Sequence, residues 1–371
     1  MIERLLGAPV FAAKLKPKCL RAIIVLAGLV SLVCLGIDLA QRPPLPDGVA
    51  LRAAGLTKRR IGLLKNARIE NGPPIDLALD VAGSGLIGVD YSDLTTTLGD
   101  LRAKQTSLNP YFAALVVTWL REAGVGEGDK VAVSLSGSFP ALNLAVLSAA
   151  EALGLRPLII SSIGASSYGA NVGGFTWLDM ERYLFERGEL AWLSEYASLG
   201  GIVETGGGID GTGYALGFEA VARHGAKYLP ENGVKSLIED MDRRRGLYFA
   251  GGPPKAYINV GGGVTALGWV PEAALLDNGL IRGVPKTGSA KRGLIFRMLE
   301  ENVPVIHLLN IERLAARYNL PLSPRDLEVS HRPLLAQKRR GIFLALTLLG
   351  WLTLAAFLAR LEAPKAAGEK R

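Results

Sequence analysis

Cysteine is almost missing from this 371-residue chain: Cys19 and Cys34 are the only two, both near the N-terminus. The long remainder therefore carries no disulfide framework and no cysteine-based metal site. Histidine is nearly as scarce, with only His224, His307 and His331. There is no HExxH, no CxxC and no Cys/His cluster, so no metal site is expected. No stretch matches GxxxxGK(S/T), none carries a full GxGxxG with its acidic partner, and no serine stands in a GxSxG elbow. The usual signatures of nucleotide, dinucleotide and α/β-hydrolase sites are thus lacking, and no cofactor is expected. An excess of charge is also missing where it would matter. The chain is +8 overall, but residues 41–337 hold thirty basic and thirty acidic residues, so all the excess lies at the two ends. A neutral central region gives no electrostatic footprint for nucleic acid.

What the ends do have is apolar sequence. Residues 22–37 (AIIVLAGLVSLVCLGI) and 341–359 (GIFLALTLLGWLTLAAFLA) are free of charge. The second, at about 1.5 Å rise per residue, would reach about 28 Å, the thickness of a bilayer's hydrocarbon core. The first gains Leu39 and Ala40 at its end. Basic residues flank both (Lys14, Lys16, Lys18 and Arg21; Lys338, Arg339 and Arg340), where they meet anionic head groups. The expectation is a transmembrane helix at 22–40 and another at 341–359. A cleaved signal peptide is the alternative for the first span. Against it, a cut after Ala40 would put Asp38 at −3, where a small neutral residue is needed. A lipoprotein site at Cys34 is opposed by Val33. The basic cluster before the first span predicts a cytoplasmic N-terminus and an extracytoplasmic domain; Lys338–Arg340 alone would predict the reverse.

Between the spans the chain reads as alternating helices and strands. A basic tail (1–21) precedes the first span, and a Pro-rich linker with an amphipathic helix occupies 41–74. Asp47 is its N-cap, Leu51, Leu56, Leu63 and Leu64 lie near one face, and basic residues surround them. This helix reads as packed on the domain, with contact to head groups as the alternative. A glycine-rich α/β domain follows at 75–337, then the flank 338–340, the second span and a tail at 360–371. Strands are expected at 86–89, 130–135, 157–160, 201–203, 256–260 and 303–308. Helices are expected at 109–123, 141–153, 212–223, 234–245, 292–301 and 311–318. Strand, helix, strand in succession specifies right-handed crossovers and a mostly parallel, three-layer, Rossmann-like sheet domain between two terminal transmembrane helices.

Four loops rich in glycine and small polar residues each follow an expected strand: Ser134–Pro140, Ser161–Asn171, Glu204–Gly213 and Asn259–Thr265. In an open parallel sheet such loops share one edge, and glycine lets backbone approach a ligand closely. The expectation is one shared site for a carboxylate- or phosphate-bearing ligand. Ser136, Gly137, Ser138 and Ser166 would contact the anion, with a helix N-terminus behind them. Asn171 and Asn259 would orient it, Thr265 would line it, and Glu204 or Asp210 would meet a cationic or hydroxyl group. The other reading is that these glycines serve only tight turns. Carboxylate pairs for acid–base work could come from Glu204 with Asp210 or Asp179 with Glu181, and no histidine is placed by the sequence to activate a serine. His307, on an apolar strand, reads as a core residue; His224 reads as a helix C-terminal cap.

Several strings, read together, resemble the bacterial poly-γ-glutamate system protein family. They are IGVDYS at 87–92, TTTLG at 95–99, Asn109-Pro110, SGSFP at 136–140, SSIGAS at 161–166, GAN at 169–171 and TWLDME at 176–181. The length and the double anchoring fit as well. The resemblance covers most of residues 40–335. It implies an accessory membrane protein of poly-γ-glutamate synthesis or export, with the bilayer, synthase or export subunits, and the polymer or its precursor as partners. It implies no reaction and no catalytic residue. A membrane-anchored hydrolase or ligase acting on an anionic substrate, and a structural assembly protein, are the alternatives.

Overall fold

The computed structural model describes residues 47–329 apart from 203, 230–235, 269–272, 274 and 286–291, together with Gly28, Leu29, Ser31, Val33, Thr347, Gly350 and Trp351. Two compact units divide the chain: one from Leu45 to Leu335, the other from the two chain ends.

In the larger unit the first helix, α1 (Gly48–Asn71), starts where Asp47 accepts hydrogen bonds from the Val49 and Ala50 amides. β1 (Thr95–Thr97) and α2 (Leu101–Ser107) follow, then α3 (Tyr111–Glu122), β2 (Lys130–Ser136), α4 (Pro140–Ala152) and β3 (Arg156–Ser162). After β4 (Ala165–Ser166) come α5 (Trp177–Glu186), β5 (Tyr196–Ser198), β6 (Gly200–Gly201), β7 (Thr205–Gly207), α6 (Gly211–His224) and β8 (Lys227–Tyr228). The last elements are α7 (Leu237–Phe249), β9 (Ala256–Val260), α8 (Val264–Leu267), β10 (Gly279–Ile281), α9 (Leu294–Glu300), β11 (Val305–Leu308) and α10 (Ile311–Arg317).

Seven strands form one sheet in the order β10-β11-β9-β2-β3-β5-β8. All pairings are parallel except β10 with β11 at one edge. The strand sequences explain this. β9 is buried at every position, as a strand covered on both faces must be. Successive residues then point to opposite cores: Val131, Val133, Ile159, Ile258 and Ile306 pack with the α1, α3 and α4 side, whereas Ala132, Ile160, Tyr257 and Val305 pack with α7 and α9. The α/β expectation with a mostly parallel sheet is met.

Several local expectations are corrected. Residues 86–89 form no strand. Gly88 and Val89 are instead tied to Tyr168 by single backbone bonds, and the strand of this region is β1, which pairs with β4. Of the strand expected at 201–203, Gly201 belongs to β6, which pairs with β7 in a small separate ribbon and not with the main sheet, and residue 203 lies outside the described residues. α1 packs on the domain as expected, but of the expected stripe only Leu64 is fully buried; Leu51 and Leu63 pack half-buried against the core, and Ala50, Ala53, Ala54, Ile61 and Ala67 supply the rest of the buried face. Its basic side is not all solvated either. Arg60 is buried and donates to Ser148 Oγ and to the Glu189 carbonyl, both at 2.8 Å.

In the unit of the two chain ends, Trp351 Nε1 donates to Ser31 Oγ at 3.1 Å. The spans expected at 22–40 and 341–359 lie otherwise outside the described residues. Among the described residues no helix is long and apolar enough to cross a membrane.

Candidate functional site

β2 and β9 are neighbours whose chains leave in opposite directions. β2 turns through Gly137 and Ser138 into α4 on one face, and β9 turns through Gly261–Gly263 into α8 on the other. Divergent connections of adjacent parallel strands leave a crevice at their carboxyl ends. A cleft of about 710 Å³ opens there. Five post-strand segments line it: Ser136 and Ser138 after β2, Gly164 and Ser166 after β3, Gly201 and Glu204 after β5, Gly263 after β9, and Asn310 and Glu312 after β11.

Gly137 holds two of these loops together. A Cβ on it would stand 2.3 Å from the Ile163 carbonyl oxygen, so only glycine permits the approach. Ser138 Oγ then accepts the Ser166 amide at 3.0 Å, and Ser136 Oγ accepts the Ser138 amide at 3.1 Å. Pro140 at the first position of α4 needs no amide partner.

The sole lysine or arginine on the cleft wall among the described residues is Lys104, from α2. It is buried, 2% exposed. Its Nζ lies 2.6 Å from Ser166 Oγ, donates to the Ser138 carbonyl oxygen, and sits 3.8 Å above the Phe139 ring. Burial holds the Lys104 ammonium down to about 7, against the opposing pull of Asp100. No local signal marks this residue. A lysine in a seven-residue polar helix reads as solvated; what buries it comes from segments 34 and 62 positions later.

Opposite charge enters through Glu204. It sits at φ 61°, a strained left-handed backbone for a non-glycine residue. Ser198 Oγ donates to its Oε2 at 2.6 Å, and Arg244 Nη2 lies 3.2 Å from the same oxygen. Arg244 also pairs with Asp240 at 2.8 Å, and Thr265 Oγ1 donates to Asp240 at 3.2 Å. Burial works against the Arg244 charge, but Glu204 and Asp240 together hold its pKa above the ordinary value. Burial pushes Asp240 up, against the pull of Arg244, and Glu204 adds to the rise. Glu204, which lines the cleft, thus belongs to a buried acid–base–acid cluster beneath it, and sequence reasoning missed Arg244 and Asp240 as its partners.

The remaining expected site residues are placed differently. Asn171 is fully buried and its amide is spent on Val89 N, Val89 O and Thr95 Oγ1 at 3.0, 2.9 and 3.0 Å, so it fastens the 88–95 segment. Asn259 bonds to the Gly261 carbonyl at 2.9 Å and contacts His307 Nδ1 at 3.1 Å. With Thr265 it lines a cavity of about 40 Å³ that shares Ser136 and Glu204 with the cleft. Asp210 is exposed at the start of α6 and is not on the cleft wall. The pairing of Asp210 with Glu204 therefore has no common site. Asp179 is the N3 residue of the α5 capping box with Thr176, and Glu181 bonds His224 at 2.8 Å; both serve structure rather than the cleft. His307 is buried, with burial depressing its pKa to about 4.

Neither a protein-family model, nor a curated protein, nor a solved structure matches the chain.

Proposed function

We propose that this is a membrane-anchored accessory protein of poly-γ-glutamate synthesis or export, and that its switch-point cleft binds a carboxylate-bearing ligand, the polymer or its precursor. One observation carries the binding half: five post-strand segments converge around a cleft whose wall, among the described residues, holds a single buried lysine beside the Ser166 hydroxyl and the Ser138 carbonyl oxygen. A charged Lys104, with the hydroxyl of Ser138 and the N-terminus of α4 close by, suits a carboxylate. The central region is uncharged overall, so recognition is local rather than by bulk attraction of a polyanion. The anchoring half rests on the two charge-free apolar spans with their basic flanks and on the Ser31–Trp351 contact between the two ends.

Calorimetric titration of the detergent-solubilised full chain with γ-linked glutamate oligomers tests the site. Binding at pH 6.5 that weakens at least tenfold in Lys104→Met is expected. Equal affinity in wild type and variant would refute the cleft as the site. Deletion of the gene should reduce extracellular poly-γ-glutamate in the organism that carries it, and unchanged polymer would remove the pathway assignment.

A further inference from the structure

We propose that Ser166 and Lys104 form a nucleophile–base dyad, and that the cleft performs acyl transfer or hydrolysis on an ester or amide. This goes beyond the binding reading, which needs only a charged Lys104.

Geometry is the first support. The Ser166 hydroxyl lies 2.6 Å from Lys104 Nζ, and both residues line the cleft. A base within hydrogen-bond reach of a hydroxyl, itself fixed by a third group, is the arrangement that activates a serine nucleophile. The third group here is the Ser138 carbonyl oxygen, which accepts from Nζ. As a neutral amine, Lys104 can donate one N–H to that oxygen and offer its lone pair to the Ser166 O–H. Burial of Lys104 makes the neutral amine accessible near neutrality, since its pKa is held to about 7.

Access is the second support. Gly99 stands against Ser166: a Cβ there would lie 3.1 Å from Ser166 Oγ and 2.4 Å from the Ser167 carbonyl oxygen. No Cβ at position 99 therefore covers the hydroxyl, and Ser166, 7% exposed, reaches the cleft wall. The third support is a donor for developing negative charge. Ser138 Oγ accepts the Ser166 amide at 3.0 Å, which leaves its own proton for the oxygen of a substrate carbonyl. The dyad thus sits beside a hydroxyl donor and the start of the 13-residue α4.

The reaction balances without a cofactor. Lys104 takes the Ser166 proton as Oγ bonds to the acyl carbon. The resulting ammonium gives that proton to the departing alcohol or amine as its bond to the acyl carbon breaks. Water then attacks the acyl-serine, surrenders a proton to Lys104, and releases the carboxylic acid, with the proton returned to Ser166.

The test uses the full chain and a fluorophosphonate, which phosphonylates an activated serine with loss of fluoride. Mass spectrometry of the wild-type protein should place the adduct on Ser166, with a labelling rate that rises with pH through a midpoint near 7. Ser166→Ala should abolish that adduct, and Lys104→Met should slow labelling at pH 8 by at least a hundredfold. The wild-type protein separates the two readings by pH, because binding of γ-glutamate oligomers needs the charged Lys104 and should fall as pH rises through about 7, whereas labelling needs the neutral amine and should rise through the same midpoint. No adduct on Ser166 in a wild-type protein that binds the oligomers would overturn the dyad and leave the binding site standing. Labelling at another serine, or a rate at Ser166 indifferent to pH between 6 and 9 or to Lys104→Met, would overturn it as well.

Discussion

Lys104 and Asn171 are both buried polar residues of the cleft region, and they do opposite work. Lys104 sits where burial disfavours its cation. Its pKa is lowered from 10.5 in a solvated chain to about 7, so between those values the unfolded chain binds the extra proton and folding is opposed. The opposition is complete below pH 7 and vanishes above about pH 10.5. Lys104→Met should therefore raise stability by on the order of 2 kcal/mol at pH 6 to 7, with the gain shrinking as pH rises toward 10. Urea titrations at pH 6.5 and 9.5 measure it, and a variant destabilised equally at both values would contradict the burial argument. Asn171, in contrast, has both polar atoms of its side chain satisfied by the 88–95 segment. Asn171→Ala should cost about 2–3 kcal/mol by stranding the Val89 backbone groups. Oligomer affinity measured on the folded fraction at low temperature should stay within about twofold of wild type; a selective loss of affinity would return Asn171 to the site.

At the scale of elements, α1 packs on the domain as expected but through a wider, alanine-rich face than its leucines alone would give. An amphipathic surface helix would tolerate loss of a single contact. α1 instead lies across α3 and α4 with an alanine face that lets the backbones approach, and its central Arg60 reaches Ser148 on α4 and the Glu189 carbonyl beyond α5. Arg60→Ala removes an anchoring ion pair to Glu151 together with buried methylene packing, and should cost about 3 kcal/mol. Asp47→Ala should cost only about 1 kcal/mol, the ordinary value of a lost N-cap. Thermal melts of the two variants side by side check the ordering, and a cost for Asp47→Ala equal to that of Arg60→Ala would mean that the helix start, not its centre, holds α1 in place.

For the whole molecule, the unit from Leu45 to Leu335 contains both cores and the complete cleft. A fragment of residues 45–335 should therefore melt cooperatively and bind γ-glutamate oligomers with the affinity of the full chain. Failure of the fragment to fold would show that the end segments contribute to its core. The full chain should stay in the membrane pellet after alkaline carbonate extraction. A single cysteine introduced into the domain, with Cys19 and Cys34 replaced, should react with an impermeant maleimide in intact spheroplasts. Reaction only after lysis would place the domain on the cytoplasmic side and make Lys338–Arg340 the orienting signal.

Apolar runs, capping residues and glycine turns are local features, and what depends on them was legible in the chain. β9 lies at 256–260 and α10 begins at Ile311 as the periodicity implies, and the loops after β2, β3 and β9 fall where glycine and serine cluster. Convergence of those loops follows from parallel strands and right-handed crossovers, which is why Ser136, Ser138, Ser166 and Glu204 share one cleft. Contacts between distant segments were not legible. Nothing near position 104 says that Ser138 and Ser166 will surround it, nor near position 244 that Glu204 will face it across the end of the sheet. Asn171 and Asp210 looked alike as small polar loop residues; one was buried by a segment some 80 positions away and the other left on the outside of a helix start. Periodicity sets secondary structure because it acts over one or two turns. Burial of a charge is decided by which loops meet at the switch point, and that exists only once the sheet is assembled.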